Sequence, residues 1–242
     1  MTPPLLEVDG LSKRFRGLRA VDGVSFAVER GAIVALIGPN GAGKTTLFNL
    51  VAGVFAPDGG RVRLDGRDIT GLRPDQACRA GIGRTFQLVK PFGALTVAEN
   101  VLVGALRASP EIGAARRLAA EILDRLGLTA KAALPAHSLT LPERKRLETA
   151  RALATRPKLL LLDEVMAGLR PTEIDRMVET FTALVRDTGL TILLTEHVMR
   201  AVMALSHHIV VMHHGRKICE GPPERVSRDP AVLESYLGEA PG

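Results

Sequence analysis

Nine residues, "GPNGAGKTT" from Gly38 to Thr46, carry glycines, a lysine and hydroxyls at the spacing of a phosphate-binding loop. Gly38, Gly41 and Gly43, with the small Ala42, let successive backbone N–H groups of Pro39–Thr46 (Asn40 among them, Pro39 excepted) wrap a phosphate. The helix that opens here adds positive potential at its N-terminus. Lys44 would reach the β- and γ-phosphates, and the Thr45 hydroxyl would ligate Mg²⁺. In a chain of this composition, chance matches number on the order of one in a hundred, before strand and helix context is required. A nucleoside triphosphate is therefore the expected ligand.

A second chemical centre lies in "LLLLLDEVMAGL". The apolar run ends on Asp163, which places a carboxylate at the C-terminal edge of a sheet, where open α/β sheets bind ligands. Asp163 would hold Mg²⁺ through water, and Glu164 could act as general base on an attacking water.

The elements that must position these groups follow from the apolar spacing. Residues Leu5 to about Arg30 alternate and read as antiparallel strands. "AIVALIG", "PKLLLLLDE" and "LTILLTEH" are continuous apolar runs, typical of strands covered on both faces. "GRVRLDGRDI" reads as a hairpin strand. From about Pro74 to Leu128 the spacing is mostly helical, and the end of the chain reads as a short helix with a frayed tail. The fold class is α/β: a mainly parallel phosphate-loop core, an N-terminal antiparallel β subdomain and a helical insert. The core is expected over 1–86 and 156–242, the insert over about 87–155, within one domain of 1–242.

Composition bounds the function. The 242 residues suffice for a sizeable core, yet only 3% are aromatic and none is Trp, so Leu, Val, Ile and Ala must build it. The net charge of +6, from 32 basic and 26 acidic residues, permits an anionic partner without demanding one. Cys78 and Cys219 stand alone, which excludes a disulfide framework and indicates a reducing compartment. No signal-like segment is apparent and no apolar run is long enough to span a bilayer. The two His pairs of "SHHIVVMHHG" flank a strand and face opposite ways, so they do not converge on one metal.

The ordered set "GPNGAGKT", "RTFQ", the helix start at Ser138, "LLLLDE" and "TEH" resembles the ATPase subunit of ABC transporters along essentially the whole chain. "GIGRTFQLVKPFGALTVAENVLVGA" and "GRKICEGPPERVSRDPAVLESYLG" are similar to the branched-chain amino-acid uptake group. The resemblance implies ATP and Mg²⁺ as ligands and further roles by position. Phe15 falls where adenine stacks. Gln87 senses Mg²⁺ and the attacking water, and His197 contacts the γ-phosphate. The partners implied are a second ATPase subunit, membrane permease subunits and, indirectly, a solute-binding protein, with no nucleic acid expected. The place implied is the cytoplasm, peripheral on the inner face of the membrane through the permease. Rival readings are a nucleic-acid- or ribosome-linked ATPase, a lipopolysaccharide exporter subunit and a small-molecule kinase.

Two positions depart from the family pattern. Arg170 stands where many relatives have Asp. The family's Leu-Ser-Gly-Gly-Gln falls on Leu139, Thr140, Leu141, Pro142 and Glu143. Thr140 to Glu143 spells a capping box, with Pro142 tolerated in the first turn. The helix start at Thr140 and the Leu141 N–H remain the expected contacts to a γ-phosphate across a dimer. Arg144, Lys145 and Arg146 are expected to offset the Glu143 charge, and ATP-driven dimerisation is expected to be weak.

Overall fold

The computed structural model describes residues 3–86 and 90–237. Strands β1 (Leu6–Phe15), β2 (Leu18–Val28) and β3 (Ile33–Ile37) precede helix α1 (Lys44–Val51). Next come β4 (Gly59–Leu64), β5 (Arg67–Asp68), α2 (Pro74–Ala80) and β6 (Ile82–Arg84). Three longer helices follow: α3 (Val97–Ala108), α4 (Ile112–Arg125) and α5 (Leu141–Ala154). The chain then runs through β7 (Leu159–Asp163), α6 (Pro171–Thr188), β8 (Thr191–Thr195), α7 (Met199–Leu205), β9 (His208–His213) and β10 (Arg216–Gly221). Helices α8 (Pro223–Val226) and α9 (Pro230–Leu237) close it.

Two sheets form. An antiparallel sheet has the order β2-β1-β4-β5, and the main sheet runs β10-β9-β3-β8-β7-β6. All neighbours in the main sheet are parallel except β10, which pairs antiparallel with β9. Every residue of β3, β7 and β8 is buried, as expected of strands covered on both faces. Two apolar cores result. One unites one face of the main sheet with α3 to α7, and the other packs α1 and the opposite face against the antiparallel sheet.

One element differs from the sequence expectation. β6 is a strand inside the stretch whose spacing reads as helical. With three residues it shows no period of its own, and its pairing with β7 decides its conformation. β10, rich in charge, is an edge strand fixed by its hairpin with β9 rather than by alternation.

Two of the scarce aromatics, Phe48 and Phe181, are fully buried, one in each core. Phe48 of α1 is fully buried between the two sheets, so Phe48→Ala should cost about 3–5 kcal/mol. Urea denaturation monitored by circular dichroism measures that loss.

Candidate nucleotide and hydrolytic site

Parallel order brings the C-terminal ends of β3, β7 and β8 side by side, and each end delivers functional residues. The loop after β3 turns through Gly38 and Gly43, both at positive φ, to start α1 at Lys44. A Cβ at Gly43 would lie 2.2 Å from the Ala20 carbonyl oxygen, and one at Gly38 would lie 2.1 Å from that of Met212. No side chain fits at either place. Lys44 is buried, and its Nζ donates to the carbonyls of Gly38 at 2.7 Å and Pro39 at 3.0 Å. Burial lowers its pKa, while Glu164 and Asp163 favour its charge. Thr45, in the first turn of α1, is exposed. The hydroxyl of Tyr236, on α9, lies against the Gly38 backbone, and burial raises its pKa.

Asp163, the last residue of β7, is 3% exposed. Its Oδ1 accepts from the Thr195 hydroxyl at 2.8 Å, and its Oδ2 accepts from Arg84 Nη2 at 3.2 Å. Arg84 also donates to Asn49 Oδ1 at 2.7 Å, so one guanidinium ties β6 to α1 and β7. Glu164 takes a left-handed backbone, with φ 50°. That turn sets its carboxylate against His197, with Oε1 and Nε2 2.7 Å apart. The sheet therefore unites Lys44, Asp163, Glu164 and His197, which lie far apart in the chain. A buried carboxylate oxygen at Asp163 and a hydroxyl at Thr45 are the hard donors that suit Mg²⁺.

Phe15 ends β1 with 39% of its surface exposed, edge-on to Phe55 at 5.2 Å between ring centroids. It is a surface aromatic and not a core residue of the strand. Gln87 lies outside the described residues.

The ABC transporter family model matches residues 21–167. This chain belongs to the ABC transporter family. A second model, for branched-chain amino acid ATP-binding cassette transporters, matches residues 216–241 of the cassette. The high-affinity branched-chain amino acid transport ATP-binding protein BraF of Pseudomonas aeruginosa is 42% identical over 99% of this chain and 100% of its own. LivG of Escherichia coli, named for the same transport, is 41% identical with the same coverage. Among solved structures, the ADP conformation of the ATP-binding cassette MJ1267 superposes with a TM-score of 0.89 at 33% identity. That match covers 98% of this chain and 100% of the other. The nucleotide-free cassette of an ABC transporter gives 0.87 at 33%, with the same coverage.

The cassette's α5 begins as the capping box predicts, and with a consequence for anions. The Glu143 carboxylate accepts from the Thr140 N–H at 2.9 Å and is ion-paired with Lys131. The three basic residues after it do not offset its charge, contrary to expectation. Arg144 Nε donates to the Leu139 carbonyl, Arg146 to those of Leu126 and Gly127, and Lys145 to that of Glu164. Each is drawn off by a main-chain oxygen nearby. Partial burial works against ionising Glu143, but Lys131 and the Thr140 amide outweigh it and bring its pKa down to about 2. A carboxylate thus already sits at the N-terminus of α5, where it competes with any incoming phosphate.

Three residues to which the sequence motifs give no role complete the site: Arg84, Lys145 and Glu196. Arg84 opens "RTFQ" and Glu196 is the middle of "TEH", but the partners of all three are distant in sequence and no motif names them.

Two outcomes follow. Gly43→Ala, which forces a Cβ onto the Ala20 carbonyl, should weaken nucleotide binding at least tenfold in a fluorescent-ATP titration. Glu143→Gln should destabilise the cassette at pH 7. Because the folded pKa of Glu143 lies below its ordinary value of 4.5, its stabilisation is full above that value and fades as pH falls toward about 2. Urea midpoints for the two proteins should converge across that window.

Proposed function

We propose that the cassette binds and hydrolyses Mg-ATP to drive a membrane importer of branched-chain amino acids or similar small polar solutes. The observation that carries this reading is the Glu164–His197 contact beside Lys44 and Asp163 at one edge of the sheet. Relatives along the full length are named for branched-chain amino acid transport, which favours such import over the nucleic-acid, lipopolysaccharide and kinase readings.

In this reading the main-chain N–H groups of Asn40 to Thr46 and the Lys44 ammonium cradle the phosphates, and Lys44 exchanges its carbonyl partners for phosphate oxygens. Phe15 offers its exposed ring to adenine. Thr45 and Asp163, with Gln87, would hold Mg²⁺, which neutralises phosphate charge. Glu164 accepts the proton of the attacking water, and His197 fixes the carboxylate and faces the γ-phosphate. Arg84 holds the Asp163 carboxylate aimed at the loop.

The helical insert, about 87–155, would act as the subdomain facing the permease. Exposed Phe86, Phe92 and Val103 lie on this side, and a cleft of about 430 Å³ opens among Val54, Phe86, Val103 and Arg151. Buried Asn100 holds the loop before α3 in shape, bonding the N–H of Phe92 at 2.9 Å and its carbonyl at 3.0 Å. Among the described residues no helix is long and apolar enough to cross a membrane, so membrane attachment at the cytoplasmic face would come through the permease. A second cassette, identical or homologous, would cover the phosphate loop with its own Thr140 and Leu141. The carboxylate of Glu143 makes that contact weak.

Glu164→Gln tests the chemistry. The variant should retain ATP binding in a fluorescent-nucleotide titration while phosphate release slows by about 10²-fold or more. Turnover at the wild-type rate would remove Glu164 as the base.

A further inference from the structure

Behind Glu164 and His197 lie two buried charges from different elements. Lys145, in the second turn of α5, is 6% exposed, and Glu196, between β8 and His197, is 2% exposed. They attract one another, against the burial that lowers the pKa of Lys145 and raises that of Glu196. Their hydrogen bonds converge on one turn. Lys145 Nζ donates to the Glu164 carbonyl at 2.9 Å, and Glu196 Oε1 accepts from the Met166 N–H at 2.7 Å. The turn that carries the hydrolytic carboxylate is thus held at its first carbonyl and at an amide two residues on.

Such a grip has a specific use here. Glu164 occupies the left-handed region, which a Cβ disfavours, so its backbone keeps that shape only if its surroundings fix it. Relaxation would swing the side chain away from His197. Two buried charges that attract one another are weak evidence for stability, because apolar residues of similar volume often do as well. What an apolar pair cannot supply is a donor for the Glu164 carbonyl and an acceptor for the Met166 amide.

We propose that Lys145 and Glu196 are positioning residues for ATP hydrolysis, holding the Glu164–Met166 turn so that the Glu164 carboxylate stays on His197. The proposal rests on the reading of Glu164 as general base.

The test uses the full-length chain carrying Lys145→Met, Lys145→Arg, Glu196→Met or the double change Lys145→Met with Glu196→Met. Each is read for phosphate release, ATP KM and melting temperature. The single Met variants strand one buried charge and should melt lower. The double variant strands no charge, so it should melt above both single Met variants and keep its KM within threefold, while kcat falls at least thirtyfold. Lys145→Arg, which retains a donor, should turn over at least fivefold faster than Lys145→Met. A double variant that melts near wild type with kcat within threefold would overturn the proposal. So would equal kcat in the Arg and Met variants, a comparison that decides the matter even if the double variant does not fold. A wild-type chain that binds ATP without hydrolysing it, or a Glu164→Gln variant with full turnover, would instead defeat the general-base reading itself.

Discussion

The phosphate loop closes only because the chain comes nearer to itself than a Cβ allows. At Gly43 the neighbour is the Ala20 carbonyl of β2, and at Gly38 it is the Met212 carbonyl of β9. The loop is thus pressed between the antiparallel sheet on one side and the main sheet on the other. Its shape is a property of both layers, and the hairpin after β9 adds to it: Gly215 donates to the Ala42 carbonyl at 3.0 Å and accepts from Asp22 at 2.8 Å. The N-terminal strands, which hold none of the hydrolytic residues, therefore shape the phosphate site as much as β3 does. Lys44 completes the loop from inside by satisfying two of its carbonyls, contacts that a phosphate would have to replace.

A second constraint acts at the ends of β7 and β8. Asp163 and Thr195 are register partners, and the Thr195 hydroxyl bonds the Asp163 carboxylate. Immediately beyond, the Glu164 N–H donates to the Thr195 carbonyl at 3.0 Å, so the two strands remain linked as their side chains diverge. Asp163 is drawn into the sheet and bonded to Arg84, whereas Glu164 turns outward to His197. Adjacent carboxylates thereby receive different surroundings and can take different tasks, one electrostatic and one as proton acceptor.

Much of this is legible in the amino-acid sequence. The glycine spacing of Gly38 to Gly43 and the apolar runs ending at Ile37, Asp163 and Thr195 each encode a local requirement, so they read directly as loop and buried strands. β6 does not, because three residues carry no period and only their pairing with β7 makes them a strand. Arg84 is visible as a residue but not as a partner of Asp163, 79 positions away. The counter-ion of Glu143 is hidden for the same reason: proximity in sequence suggests Arg144 to Arg146, but on a helix those side chains point elsewhere. Lys131, from a preceding turn, reaches Glu143 instead. Local rules set the cap, and tertiary packing chooses the counter-ion.

Helix α5 joins these levels. Its N-terminus holds the Glu143 carboxylate, and two residues later Lys145 bonds the carbonyl of Glu164. Consecutive helical positions differ by about 100°, so Glu143 and Lys145 face different neighbours while sharing one rigid segment. A displacement of the helix start by a facing cassette cannot leave the Lys145 bond unaffected, since little more than half a turn of hydrogen-bonded backbone separates them. Movement at the helix start would therefore bear on the left-handed turn of Glu164. The helix start is itself tied to a preceding turn by the Glu143–Lys131 ion pair. The capping box that marks where α5 begins thus stands on the same rigid segment as the Lys145 donor to the Glu164 carbonyl.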